Sequence, residues 1–164
     1  MTRWSFPGDR VAGSVLTMPP SGLPIAEFAF PGPLRDRLVV AVLSGTKTAT
    51  SALLVEYGSE GVPLPEVGAR SVVVDSAERP VAVIETTDVR VSRLDEVDLA
   101  HARAEGEGYD SVVAWRAGHE EFWCGADFRA AIGDPSFTPS DGTPVVLECF
   151  RVVEVSSVAV ETSR

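Results

Sequence analysis

The chain has 164 residues, 45% of them hydrophobic and 23% charged, which fits one globular domain and leaves too little for two ordinary ones. Its 24 acidic residues against 14 basic ones give a formal charge of −10, a balance that opposes broad binding to a nucleic-acid backbone through neutralised phosphates. No apolar run reaches the roughly 20 residues a membrane helix needs, and Met1 to Ser21 carries no secretory signal pattern, so the expected location is cytoplasmic.

In chain order, residues 1–25, rich in Pro and Gly, are expected to form a loosely ordered arm, residues 26–156 the folded domain and residues 157–164 a tail. Leu34, Leu38, Val39, Val42 and Leu43 fall at helical spacing, and Gly45 is placed as the stop signal. The next segment, Gly45-Thr46-Lys47-Thr48-Ala49-Thr50, puts one lysine and three hydroxyls into six residues at the junction of two elements. Ser51 to Tyr57 reads as a short helix, and residues 58–68, with Pro63 and Pro65, as a loop.

Arg70 to Asp75 reads as a strand, Ser76 to Pro80 as a hairpin connection and Val81 to Val91 as a long second strand. Strict alternation groups Val81, Val83, Glu85, Thr87, Val89 and Val91 on one face, which sets Glu85 among valines. Asp95 to Glu105 reads as a helix broken by Glu105-Gly106-Glu107-Gly108. Asp110 is the expected N-cap of a helix reaching about Trp123, with Val112, Trp115, His119 and Phe122 at spacings of three and four. After a loop over residues 133–143, Val145 to Val155 is the last strand, and alternation groups Val146, Glu148, Phe150 and Val152. The pattern predicts an α+β domain on a small, mostly antiparallel sheet or barrel with flanking helices. Cys124 and Cys149 are expected to be free thiols, since two cysteines without CxxC spacing make neither a disulfide framework nor a zinc site.

These pieces resemble the ASCH family, whose members have a barrel related to the RNA-binding PUA domain. The residues that carry the likeness are Gly45, Lys47 and Thr50 in a Gly-x-Lys-x-x-Thr pattern, Leu64-Pro65-x-Val67-Gly68, Ile84-Glu85-Thr86-Thr87 and Glu105-Gly106-Glu107-Gly108. Trp115-Arg116-x-x-His119 and Glu148-x-Phe150 complete it, over about residues 28–155. The likeness is nearest to the bacterial single-domain branch, although Tyr109 stands where an aspartate usually ends the acidic run. It implies a PUA-like barrel and two activities. Some small members hydrolyse the acetyl amide of N4-acetylcytidine with a lysine, a threonine and a glutamate, which by position are Lys47, Thr50 and Glu105; others are ribonucleases acting on single-stranded RNA. A non-catalytic module that binds RNA or a nucleotide is the alternative of another class.

Amide hydrolysis needs a nucleophile, a base, an acid for the leaving amine and donors for the oxyanion. Thr50 can supply the hydroxyl and Lys47 the base, if its pKa falls from about 10.4. Equally, Glu105 can hold Lys47 charged so that the ammonium steadies the oxyanion while water attacks. Glu85, Trp115, Arg116, His119 and Glu148 are the candidate substrate-binding residues, aromatic and guanidinium planes being platforms for unstacked bases. Each has a plainer reading beside it: an exposed lysine at a helix end, a capping threonine, a solvated glutamate, internal ion pairs for Glu85 and Glu148, and core packing for Trp115 and Phe122. Glu107 is read as structural or peripheral. His101 and His119 are the only histidines and no ligand-spaced cluster contains either, so neither a metal nor a cofactor is expected. The expected partner is a small nucleoside or single-stranded RNA, with no duplex and no membrane.

Overall fold

The computed structural model describes residues 2–5 and 22–156. Among these residues six strands, β1 (Thr2–Ser5), β2 (Ile25–Phe28), β3 (Ala49–Leu53), β4 (Arg70–Val74), β5 (Pro80–Arg93) and β6 (Pro144–Val155), form one sheet in the order β1-β2-β4-β5-β6-β3. Only β2 and β4 run parallel; every other neighbouring pair is antiparallel. The edge strands β1 and β3 approach each other without pairing, so the sheet curls towards a barrel and stays open. The α+β class holds, while the closed barrel implied by the resemblance is here a curled sheet. Of the expected arm, residues 2–5 are a paired strand, and the rest of it to residue 21, like the tail from 157, lies outside the described residues.

Helix α1 (Pro33–Leu43) starts on a proline, whose missing N–H costs nothing in a first turn, and buries Leu38, Val39 and Val42. They pack with Phe28, Val73, Ile84, Val146 and Phe150 on the concave side of the sheet. Helices α3 (Leu99–Ala104), α4 (Val112–Trp123) and α5 (Ala126–Ile132) cover the other side, where Trp115, Trp123 and Phe128 meet Leu53, Val145 and Leu147. Alternate residues of β6 thus enter two cores, which is why its first half is an unbroken apolar run but for Glu148.

Four local expectations differ from the structure. Residues 51–53 continue β3, paired with Val145 to Leu147, and helix α2 (Leu54–Glu60) begins only after them, because tertiary pairing outweighs local propensity. The helix expected over 95–105 is a 3-10 turn at Leu94–Glu96 followed by α3, whose N-cap Asp98 accepts from the His101 N–H at 2.8 Å. Ser111, not Asp110, caps α4. In β5 the concave face carries Ala82, Ile84 and Thr86, so Glu85 lies on the outer face. There its cross-strand neighbours on both sides are arginines, Arg70 and Arg151, and both pair with its carboxylate. The register shifts between Thr86 and Asp88, and beyond it the alternation read from the valines ends with Val91 exposed. Cys124 and Cys149 are free, as expected.

Candidate functional site

Lys47 is the point at which three segments meet. After Gly45, with φ of +75°, turns the chain out of α1, the Lys47 N–H donates to Ala41 O at 2.9 Å and the Thr48 N–H to Ala104 O at 2.8 Å. These bonds fasten the motif to α1 on one side and to the end of α3 on the other. Gly106 completes the contact: with φ of +67°, it lies so close that a Cβ there would stand 2.4 Å from Thr46 O. Only glycine allows the turn at residues 105–107 to rest on the backbone of Thr46 and Lys47.

This contact brings opposite charges together out of water. The buried Lys47 Nζ donates to Glu107 Oε1 at 3.1 Å and to the Glu105 carbonyl at 3.2 Å, and stands 3.7 Å from Glu105 Oε2. Its other side faces the Phe28 ring, 5.6 Å from the centroid. Glu105, fully buried, is saturated: Oε1 accepts from Ser51 Oγ at 2.6 Å and Trp115 Nε1 at 2.9 Å, and Oε2 accepts from His119 Nε2 at 3.1 Å. His101 Nε2 lies 2.9 Å from Ser51 Oγ and 3.3 Å from Glu105 Oε1.

Burial opposes ionisation of Glu105, yet the charges of His119 and Lys47 and the bonds from His101 and His119 outweigh it, and the carboxyl is held well below the ordinary glutamate range. His119 Nδ1 faces the Trp115 carbonyl at 2.9 Å and must donate to it, while Nε2 faces the ionised Glu105. The Lys47 ammonium thus lies between two carboxylates, Glu105 and Glu107. The Trp115 ring stacks on His119 at 4.2 Å and fixes its plane.

The structure brings Lys47, Glu105, Trp115 and His119 together, and adds Ser51, His101 and Glu107. Thr50 is buried but occupies the strand position next to Ser51, on the opposite face from Glu105, and pairs in register with Glu148. Arg116 is apart, on the outer side of α4 with Glu120 and Asp141. Glu85 is held in its arginine ladder, its carboxyl lowered by the hydrogen bonds of Arg151 and Arg70. Glu148 is buried: Oε1 accepts from Thr86 Oγ1 at 2.6 Å and, among the described residues, Oε2 has no hydrogen-bond partner. Burial pushes its carboxyl up to about 7 against that hydrogen bond.

Sequence reasoning passed over Ser51 and His101, and treated Glu107 as peripheral. The i,i+4 spacing of His101 and Glu105 was the available signal for one of them. The metal reading also changes in one respect: Glu105, Glu107 and His119 offer ligand atoms within 4.8 Å of one another, a set that sequence spacing hides. The Lys47 ammonium reaches two of the three and supplies positive charge there. Tyr109, in place of the expected aspartate, lies against His119 with its hydroxyl end over Gly118, where a Cβ would stand 2.2 Å from it. Among the described residues no helix is long and apolar enough to cross a membrane.

A family model described as ASCH domain matches residues 27–154. Two solved structures resemble the chain at 27% identity. A protein from Enterococcus faecalis V583 aligns over 81% of this chain and 77% of its own, with a TM-score of 0.70. An ASCH domain from Lactobacillus crispatus JV V101 aligns over 78% and 77%, with a TM-score of 0.67. No curated protein matches the sequence.

Proposed function

This chain belongs to the ASCH domain family, whose fold suggests binding of RNA or a nucleotide, and from that premise we propose that the Lys47 site hydrolyses the acyl amide of a modified nucleoside, N4-acetylcytidine. One observation carries the reading: a fully buried lysine whose ammonium is held between Glu105 and Glu107 by a turn that glycine alone permits. Burying an ammonium is costly, and a site that fixes it where water is excluded strengthens its action on a developing negative charge.

In this scheme Lys47 donates to the carbonyl oxygen of the acetyl group. Its hydrogen bonds to Glu107 and to the Glu105 carbonyl occupy two of its three donors, which leaves one for the substrate. Water attacks the carbonyl carbon and gives its proton to Glu107, whose side chain is the less enclosed of the two carboxylates. When the carbon–nitrogen bond breaks, the same proton passes to the N4 amine, releasing cytidine and acetate. Glu105 is a positioning residue here: saturated and ionised, it keeps Lys47 and His119 in place and is a poor proton carrier at neutral pH. Thr50, opposite Glu148, lines the substrate side of β3.

Incubation of the protein with N4-acetylcytidine and chromatography of the products tests the reading. Cytidine should accumulate, and Lys47→Ala should slow its release by about a hundredfold or more, the usual effect of removing an oxyanion donor. Absence of cytidine at high enzyme, or an unimpaired Lys47→Ala, would overturn it. Cleavage of a labelled single-stranded RNA in place of amide hydrolysis would transfer the site to ribonuclease chemistry, and binding without any product to a recognition module.

A further inference from the structure

On the concave side of the sheet, four adjacent strands each place one buried polar residue among the apolar side chains of the first core, which Lys47 also touches at Phe28. They are Ser71 on β4, Thr86 on β5, Glu148 on β6 and Thr50 on β3. The positions are neighbours: Ser71 is opposite Ile84, two residues from Thr86; the Thr86 hydroxyl donates to Glu148; and Thr50 is opposite Glu148. At one end the row reaches a cavity of about 220 Å3 walled by Ser71, Ala69, Pro24, Leu64 and Pro65. At the other, Thr50 lies three residues from Lys47. A cavity of roughly 150 Å3 holds a benzene ring; this one meets the row at Ser71, and neither Thr86 nor Glu148 is among its walls.

A buried carboxyl oxygen with no partner is costly in a protein alone. Glu148 Oε2 is such an atom, and among the described residues Thr86 is the one side chain that hydrogen-bonds to that carboxyl. A structural role would be served by a second donor, as the two arginines serve Glu85.

We propose that Glu148, oriented by Thr86, is the base-reading residue of the site, its Oε2 carrying a proton that it donates to the ring acceptor nitrogen of a cytosine-type base next to the amide that Lys47 addresses. This rests on the reading of Lys47 as the amide-hydrolysing site. A carboxylic acid has one donor and one acceptor side by side, the complement of a ring nitrogen beside an N–H. The raised carboxyl places this proton within reach of neutral pH. The titratable groups on the elements packed against Glu148 are otherwise engaged. Lys47 is held by Glu105 and Glu107, Arg35 on α1 pairs with Glu27 on β2, and Glu85 on β5 lies on the outer face with its arginines. Asp88 on β5 and Cys149 flank Glu148 along the strands, and Tyr57 of α2 lies in the same core.

Calorimetric titration with cytidine and with 3-deazacytidine, which lacks the acceptor nitrogen, tests this without requiring turnover. At a pH near 6 the protein should prefer cytidine by about tenfold, the worth of one hydrogen bond of about 1.4 kcal/mol, and the preference should fade above a pH of about 8 as the carboxyl ionises. Glu148→Gln, whose amide can donate at every pH, should keep the preference throughout, and Glu148→Leu should abolish it. Equal binding of both nucleosides, or a Glu148→Gln protein with the wild-type pH dependence, overturns the assignment even if N4-acetylcytidine is hydrolysed. The expected preference without any hydrolysis supports it while removing the proposed reaction, and failure to bind either nucleoside overturns both.

Discussion

At the scale of residues, two buried glutamates with opposite electrostatics give opposite responses to pH. Glu105 is depressed in the folded state by His119 and Lys47. Its contribution is therefore present above the unfolded value of about 4.3 and is lost as pH falls through the folded value. Glu148 is raised to about 7. Between about 4.5 and 7 the native state binds more protons than the unfolded one, so its contribution is full below that window and falls as pH rises through it, by about 3 kcal/mol. Urea unfolding across this range should show a decline that Glu148→Gln removes. Glu105→Gln should cost about 3 kcal/mol at neutral pH, because it leaves a buried cation without its counter-charge.

At the scale of elements, the site is made by one contact between loops and not by any single helix or strand. Residues 46–48 follow α1 and residues 105–107 follow α3, and Gly106 sets how closely they approach. Gly106→Ala would press a Cβ into the carbonyl of Thr46, a backbone atom that cannot swing aside. The expected result is a stability loss of about 2 kcal/mol or more together with loss of activity, since Lys47 and Glu107 would be driven apart. Gly108→Ala is the control. Its φ is +88° but nothing lies within 4 Å of its Cβ, so it should carry backbone strain of about 1 kcal/mol and leave the Lys47 contact intact. Urea midpoints and turnover of the two variants separate these effects.

At the scale of the molecule, the proposed nucleoside ligand carries no phosphate chain, which agrees with the formal charge of −10. Binding of a nucleoside releases no condensed counterions, so its affinity should change by less than about twofold between about 50 and about 200 mM salt. A steep fall over that range, measured by the same calorimetry, would point to phosphate contacts and an RNA strand. The curled, open sheet divides the labour: α1 and the concave face form one core with the polar row inside it, and α3 to α5 form the other around Glu105.

The sequence by itself determined the elements with strong periodicity, α1, α4, β4, β5 and β6, because hydrophobic spacing and glycine stops act over a few residues. It also singled out Lys47 and Glu105, through motifs whose spacing is local. It placed Glu85 and Glu148 alike, each as a glutamate among apolar residues on a strand. Only the tertiary structure separated them, since strand alternation tells which residues share a face but not which face is covered. Glu85 turned outwards to two arginines on neighbouring strands, and Glu148 turned inwards with one threonine. The same holds for Ser51 and Glu107, whose partners lie 54 and 60 residues away. Charge pairing across such distances depends on how the chain closes, and no local pattern records it.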